Sequence, residues 1–216
     1  MNRFAGIFAL LMALVMTGCA TPKSYDYTAY KQSRPKSILV LPPQNHSPDV
    51  KATYSMLSQV TFPLAESGYY VFPVAVVDET FRQNGLTEPA DIHAVAPAKL
   101  RQIFGADAAL YIDIKDYGTS YMVLSSNTVV TADAKLVDLK TGQLLWSGTA
   151  TASSGEQDTS SSSLVGMMVQ AVVNQIAHTI TDKGHEIAGI TSVRLLSAGH
   201  PNGILFGPKS PAYGKD

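Results

Sequence analysis

The sequence contains very little cysteine and very little net charge. Cys19 is the only cysteine among 216 residues, so no disulfide can form within the chain. The 16 Lys and Arg residues nearly balance the 17 Asp and Glu residues, which leaves a net charge of −1 and excludes a protein that binds nucleic acid mainly through charge. With 45% apolar residues the chain can still bury a core, and we expect one compact domain accompanied by processing segments.

The sequence also lacks the motifs of common catalytic and cofactor sites. It contains no Gly-x-Ser-x-Gly elbow, no Gly-x-x-x-x-Gly-Lys-Ser/Thr phosphate loop and no His-Glu-x-x-His zinc motif. His178, Asp182 and His185 have helical spacing, but Gly184 interrupts it, so solvated or capping histidines are favoured over metal ligands. We therefore predict no metal and no cofactor.

One pair of carboxylates has to be considered as an acid and a base. Asp113 and Asp116 lie three positions apart on a predicted strand, so we expect them on opposite faces of the sheet, where they cannot share a site. An enzyme or a small-ligand carrier whose pocket carries no motif is the alternative that these absences leave open.

The amino terminus has the features of a lipoprotein signal peptide. Arg3 supplies a positive start, and residues 4–16 form an uncharged apolar run that is too short to span a bilayer as a helix. Met16-Thr17-Gly18-Cys19 resembles the lipobox of bacterial lipoproteins, in which the cysteine thiol takes up diacylglycerol and the signal is cleaved before the cysteine. We predict a signal peptide at residues 1–18 and lipid attachment at Cys19.

The predicted anchor indicates a location in the cell envelope. Acylation of the new amino terminus would leave three acyl chains on the protein, and two or more chains make membrane attachment effectively stable. Ala20 and Thr21 follow the cysteine, with no Asp at the second mature position. This resembles the default signal for transport to the outer membrane in enterobacterial lipoproteins, so we expect an outer-membrane lipoprotein.

The two ends of the mature chain are polar. Residues 19–36 carry Tyr25, Tyr27 and Tyr30 between polar residues, and we expect a tether, with an added edge strand or a partner contact as the alternative. Residues 199–216 are rich in Gly and Pro and are predicted to lie extended on the surface.

The first half of the domain alternates strands and helices. Residues 37–41 form an apolar strand suited to burial on both faces. A helix is predicted from Ser47 as its N-cap to Gly68, a strand over residues 69–74, an irregular segment over residues 86–96, and short helices elsewhere. The core-facing stripe predicted for the first of these helices is Val50, Tyr54, Leu57, Val60 and Leu64.

The second half indicates an antiparallel meander. Residues 108–117, 128–138 and 144–152 alternate apolar and polar side chains, with a Thr-Gly turn before the third segment. We predict a single α/β domain over residues 37–198. It is a two-layer sandwich in which a mixed sheet contains this meander and helices pack on the sheet.

A serine-rich segment precedes a strongly apolar helix. Residues 153–163 are predicted to be a solvated connection, with a partner contact or gate as the alternative. The helix over residues 164–180 has more apolar residues than one stripe requires, including the adjacent Met167 and Met168. These methionines are a candidate interface, and we predict a homodimer, with burial of the helix in the core as the alternative.

Several segments resemble known envelope proteins. Residues 36–45 (KSILVLPPQN), Gly105-Ala106-Asp107 and residues 136–142 (LVDLKTG) look like the opening strand, the central-strand entry and the hairpin turn of a set of envelope domains. That set contains the amino-terminal domain of the Tol translocation protein, the curli secretion channel lipoprotein, and lipoprotein activators of penicillin-binding proteins. Over nearly its whole length, including residues 207–215, the chain is similar to a neisserial lipoprotein family of surface-antigen candidates.

Together these features predict a non-enzymatic, outer-membrane-anchored lipoprotein. It would bind proteins as a component of a periplasmic assembly, transport or secretion complex. The resemblance implies envelope proteins as partners, among them a curli-channel-like lipoprotein. The short, polar segment 117–131 does not match the pore-forming hairpins of that channel relative.

Overall fold

The structure of the chain, a computed structural model, describes residues 25–122, 125–156 and 182–215. Cys19, Met167 and Met168 lie outside the described residues, as do the predicted helix 164–180 and most of the serine-rich segment. Within the described residues, none of the helices is long and apolar enough to cross a membrane.

The elements follow the predicted alternation in the first half and the predicted meander in the second. The helices are α1 (Thr28–Ser33), α2 (Ala52–Gln59), α3 (Thr61–Glu66), α4 (Val74–Gln83), α5 (Pro89–His93), α6 (Pro97–Phe104) and α7 (Lys183–Leu196). The strands are β1 (Ser37–Val40), β2 (Gln44–Asn45), β3 (Tyr70–Val71), β4 (Ala108–Met122), β5 (Ser125–Asp138) and β6 (Leu144–Ser153).

The strands form one mixed sheet in the order β3-β1-β4-β5-β6, and β2 continues the edge of β1 along β4. β1 is parallel to β3 and to β4, whereas β4, β5 and β6 are antiparallel. The fold is therefore α/β with a six-stranded mixed sheet and helices packed on it, as predicted.

The apolar run of β1 is buried on both faces of the sheet. Ile38 and Val40 belong to a large hydrophobic cluster shared with α2, α3 and α7, while Leu39 and Leu41 belong to a second cluster with α4, α5 and α6. All four side chains are fully buried. Because successive side chains of a strand point to opposite faces, the run places helices on both sides of β1 and confirms the prediction.

The first long helix begins later than predicted. The Asn45 side chain accepts hydrogen bonds from the backbone nitrogen and the hydroxyl of Ser47, at 2.9 and 2.7 Å, and donates to the Asp49 carbonyl. This local turn competes with helix formation, so α2 begins at Ala52 and Ser47 is not its N-cap. The predicted stripe is wrong at its first two positions, because Val50 and Tyr54 are exposed.

Two further boundaries differ from the sequence prediction. The strand predicted over residues 69–74 is reduced to β3, because Pro73 precedes the first residue of α4 and ends the extended segment. Residues 86–96, predicted to be irregular, contain α5, which Pro89 opens at a position where a missing N–H costs nothing.

The described parts of both polar segments, residues 25–36 and 199–215, pack on the domain. In the expected tether, residues 28–33 form α1 and Tyr30 is buried. In the expected surface tail, Ile204 is buried, and the backbone nitrogens of Gly207 and Lys209 donate to the carbonyls of Ser67 and Gly68. The two segments are held by tyrosine and backbone contacts rather than by a long apolar stripe, which is why periodicity did not reveal them.

Candidate functional site

The long β4–β5 hairpin dominates one end of the domain. Its pairing runs from Ala108 opposite Asp138 to Met122 opposite Ser125, whereas the pairing of β6 with β5 ends at Val129. The hairpin therefore extends past the neighbouring strand. At about 3.4 Å per residue, β5 separates the hairpin tip from the Asp138 end of the sheet by roughly 45 Å.

A β-bulge changes which side chains share a face of this hairpin. The register of β4 against β5 shifts between Ile114 and Asp116, so that Asp113 pairs with Asp133 and Asp116 pairs with Thr131. Residues 131 and 133 point to the same face, and paired residues share a face. Asp113 and Asp116 therefore lie on one face, and the expectation that they lie on opposite faces is wrong, because the bulge adds one residue.

This face of the sheet is polar and carries charges of both signs. Asp113 lies directly opposite Asp133, an arrangement that is unfavourable for two carboxylates. Lys115 Nζ lies 3.6 Å from the Asp133 carboxylate, His46 Nε2 lies 3.4 Å from the Asp113 carboxylate, and Thr149 Oγ1 donates to Asp133. These partners offset the repulsion, and the face is partly exposed and rich in hydrogen-bonding groups.

A cleft of about 460 Å³ opens beside this face, at the base of the hairpin. Polar and apolar surface contribute about equally to its walls, whereas typical small-ligand sites have predominantly apolar walls. The lining residues are His46, Ser47, Pro48, Lys115, Asp116, Tyr117, Gly118, Thr119 and Val129.

A hydrogen-bond network centred on His185 joins three elements near the base of the hairpin. The amide Nε2 of Gln59 lies 2.6 Å from His185 Nε2. Because an amide nitrogen only donates, His185 Nε2 accepts, and Nδ1 carries the proton that it donates to Ser55 Oγ at 3.0 Å. The Tyr117 hydroxyl also donates to Ser55 Oγ, at 2.7 Å, and burial raises the pKa of Tyr117.

This network joins neighbouring elements by hydrogen bonds and does not have the geometry of a nucleophile–base pair. A histidine that activates a serine must accept the hydroxyl proton, whereas Ser55 here receives hydrogen bonds from both His185 and Tyr117. The network links α2, the start of α7 and β4. Local sequence patterns do not reveal it, because Tyr117 and His185 are 62 and 130 positions from Ser55 along the chain.

His185 and Asp182, which have helical spacing in the sequence, have partners other than a metal ion. Asp182 caps α7, where its carboxylate accepts from the backbone nitrogens of Gly184 and His185. His178 lies outside the described residues. Within residues 25–122, 125–156 and 182–215, no group of three or more His, Cys, Asp or Glu side chains is placed to hold a metal ion.

A second, smaller cleft lies at the opposite end of the sheet. It has a volume of about 180 Å³ and is formed between α1 and the carboxy-terminal segment. Ser33 donates to the Asp138 carboxylate, which places α1 at the end of β5 farthest from the hairpin tip. Basic and aromatic side chains are prominent in the lining, which comprises Tyr30, Lys31, Arg34, Pro35, Tyr69, Leu205, Phe206, Tyr213 and Gly214.

Asp138 holds this end together as an ionised acceptor. Burial by itself raises its pKa, but hydrogen bonds from Ser33, Thr141 and Lys140 outweigh that effect and lower the pKa below the usual value. The carboxylate thereby fixes both α1 and the Thr-Gly turn to the sheet.

Comparison with known proteins places the chain among bacterial lipoproteins. A family model described as "Putative lipoprotein GNA1162-like" matches residues 25–209. The chain is 52% identical over 205 residues to "Putative lipoprotein NMB1124/NMB1162" of Neisseria meningitidis serogroup B, and the match covers 94% of this chain and 95% of that protein.

Two solved structures are also similar to the chain. The crystal structure of lipoprotein GNA1162 from Neisseria meningitidis superimposes with a TM-score of 0.55 at 59% identity, covering 67% of this chain and 100% of that chain. The C-terminal domain of LpoB from Salmonella enterica aligns with a TM-score of 0.40 at 20% identity, covering 54% of this chain and 82% of that chain.

Proposed function

The chain belongs to the GNA1162-like putative lipoprotein family, and we propose that it is a non-enzymatic, outer-membrane-anchored lipoprotein that binds other envelope proteins. In this proposal it acts as a component of a periplasmic assembly, transport or secretion complex. One observation carries the proposal: α1, the first described helix, and the projecting β4–β5 hairpin lie at opposite ends of one sheet.

This separation suits a tethered binding module. α1, the first described helix after Cys19, packs beside Asp138, and the hairpin tip is roughly 45 Å away along β5. A lipid on Cys19 would therefore leave the hairpin end available to partners. That end offers the exposed side chains Lys115 and Asp116, which line an open cleft, and exposed charged groups of this kind are typical of the rim of a protein interface.

The anchor is tested by replacing its only candidate thiol. Cys19→Ala should leave the precursor without lipid, because only a thiol can form the thioether. Labelling with radioactive palmitate, followed by separation of inner and outer membranes, measures both acylation and location. A variant that still takes up palmitate and remains in the outer-membrane fraction would contradict the anchor.

Protein binding is tested by photo-crosslinking from two exposed positions in the full-length, acylated protein in cells. Benzoylphenylalanine at Asp116, at the hairpin base, should give a discrete adduct heavier than the chain. The same substitution at Lys99 in α6 is the matched control and should not. Failure to form an adduct at Asp116, or an equal pattern at both positions, would argue against a binding surface at the hairpin end.

Self-association through Met167 and Met168 is a further part of the proposal. It rests on the excess of apolar residues in the sequence around them, since exposed apolar patches mark contacts. Sedimentation of the mature chain with Cys19→Ser should give a dimer, and Met167→Lys or Met168→Lys in a folded variant should give a monomer. A parent chain that stays monomeric at high concentration would rule out the dimer.

A further inference from the structure

We propose that the end of the domain bearing α1 and the carboxy-terminal segment rests on the membrane, where Lys31 and Arg34 bind the phosphate of an anionic phospholipid headgroup. We call this region the basal face and define it by Tyr25, Lys31, Arg34, Tyr70, Lys209 and Tyr213. The proposed orientation rests on the lipid anchor at Cys19, whereas the proposed affinity for headgroups belongs to the domain itself.

The length of chain before the domain limits how far the basal face can lie from the bilayer. Tyr25 follows Cys19 by six positions, and a fully extended chain of that length spans at most about 20 Å. Tyr25 is already fixed to the domain, because its backbone nitrogen donates to the Asn202 side chain at 2.9 Å. The Trp146 indole in turn donates to the Asn202 carbonyl, which ties this contact to the core.

Neighbouring contacts hold α1 in the same place. The Tyr27 hydroxyl donates to the Gly203 carbonyl, and Ser33 donates to Asp138. With Tyr25 also fixed, the short link to Cys19 cannot be lengthened without breaking several contacts. A lipid on Cys19 therefore keeps α1 close to the headgroup layer.

The charge on the basal face matches an anionic surface. Several basic side chains lie there. Asp26, two residues before α1, is an exposed carboxylate close to them in the sequence. The carboxylates of Asp107 and Asp138 at this end accept hydrogen bonds from Lys36 and Ser33, and the basic side chains around them outnumber Asp26, Asp107 and Asp138. Polybasic segments next to a bilayer attract anionic lipids. The basic residues of the basal face are Lys31, Arg34 and Lys209, and Lys36 and Lys215 lie close to them in the sequence.

Aromatic side chains accompany these charges. Tyr70 is 47% exposed and Tyr213 is 40% exposed, so both rings are available at the surface of the basal face. Lys209 Nζ lies 5.5 Å from the centre of the Tyr70 ring. Tyrosine and lysine together are favoured at the membrane–water interface, because the ring lies at headgroup level while the ammonium group meets phosphate.

The cleft beside α1 fits a headgroup rather than a complete small molecule. Its volume of about 180 Å³ is below the roughly 300–1,000 Å³ of typical ligand pockets. Arg34 adopts a left-handed backbone conformation with φ of 46° at the end of α1, and its Nε donates to the Lys31 carbonyl. This contact fixes a planar guanidinium at the cleft, a geometry that suits phosphate.

The test uses the unacylated mature chain, residues 19–216 with Cys19→Ser, so that any membrane binding comes from the domain. It should float with vesicles of phosphatidylcholine mixed with phosphatidylglycerol, should not float with phosphatidylcholine alone, and should be released by salt. Lys31→Glu combined with Arg34→Glu should reduce partitioning by more than about tenfold.

A control variant distinguishes binding through the basal face from binding that depends only on the net charge of the protein. Lys51→Glu with Lys183→Glu changes the net charge equally at the opposite end, where the two lysines form only exposed ion pairs with Asp182 and Glu186. This variant should retain binding within about twofold. Thermal melting of both variants establishes that they are folded.

Three results would overturn the proposal. The unacylated parent could fail to bind either kind of vesicle, or both double variants could lose binding equally. Alternatively, glycerol phosphate could bind the cleft and leave vesicle binding unchanged, which would identify a site for a free phosphate compound. Palmitate labelling of Cys19 is measured separately, so failure of the anchor and failure of the headgroup site are distinguishable.

Discussion

The hydroxyl groups of Tyr30 and Tyr69 lie 2.8 Å apart inside the domain, although the two residues are 39 positions apart in the sequence. The Tyr69 hydroxyl donates to the Leu205 carbonyl at 2.7 Å, so the Tyr30 hydroxyl is the donor to Tyr69. This relay joins α1, the start of β3 and the carboxy-terminal segment. It holds the first and last described parts of the chain together beside the smaller cleft.

Tyr69→Phe should weaken the domain by removing the centre of this relay. The Leu205 carbonyl would lose a donor and the Tyr30 hydroxyl would lose its acceptor, at a cost of about 1–3 kcal/mol in the free energy of unfolding. Urea unfolding measures the loss, and hydrogen exchange should become faster in residues 203–213. The exposed Tyr70→Phe is the control and should change stability by less than about 0.5 kcal/mol. Equal effects of both substitutions would mean that the relay does not stabilise the fold.

Gly184→Ala should destabilise the protein although alanine favours helices. A Cβ at Gly184 would lie 2.7 Å from the Tyr117 ring, so the ring must move and its hydrogen bond to Ser55 is disturbed. We expect a loss of about 1–3 kcal/mol, against a gain of up to about 1 kcal/mol from helix propensity. A double-mutant cycle with Tyr117→Val tests the cause, because removing the ring should relieve most of the effect. Additive losses would contradict the proposed clash.

His93 should make stability depend on pH in the mildly acidic range. Burial lowers the pKa of His93, an effect only partly opposed by the hydrogen bond to the Pro42 carbonyl and by the charge of Asp113. The unfolded chain therefore binds a proton first as the pH falls below about 6.5, and the free energy of unfolding decreases. Chemical unfolding between about pH 7.5 and pH 5 should show a smaller decrease in His93→Gln than in the parent. An identical decrease in both proteins would remove His93 as the cause.

Val40→Asp should prevent stable folding. Val40 is fully buried in the larger hydrophobic cluster, and an unpaired carboxylate there would cost several kcal/mol. Thermal melting followed by circular dichroism measures the effect. Val76→Asp is the matched control, because Val76 is 62% exposed on α4. A Val40→Asp variant that melts like the parent would be incompatible with a central position for β1.

The family and the outline of the fold could be predicted because local patterns encode them. The resemblance to a neisserial lipoprotein family is confirmed by the match over residues 25–209 and by 52% identity to a meningococcal protein. The two-sided burial of β1 follows from a continuous apolar run, and the Thr-Gly turn follows from Gly142, whose φ of 74° suits glycine.

The errors arise where side chains, rather than periodicity, decide the local structure. The Asn45 side chain holds a turn that delays α2 and leaves Val50 in solvent. One extra residue between Ile114 and Asp116 brings Asp113 and Asp116 to the same face. Hydrophobic spacing does not report either event, because neither changes which residues are apolar.

The sequence by itself determined the alternation of apolar and polar residues along the strands, the family, and the prediction of a lipid on Cys19. Each of these depends on residues that are close together in the chain. Only the tertiary structure decided that Tyr30 meets Tyr69 and Leu205, that His185 meets Ser55, and that α1 and the hairpin tip occupy opposite ends of the sheet. These relationships join segments that are distant in sequence. The free energy that forms them comes from packing and hydrogen bonds between those segments, which no local pattern contains.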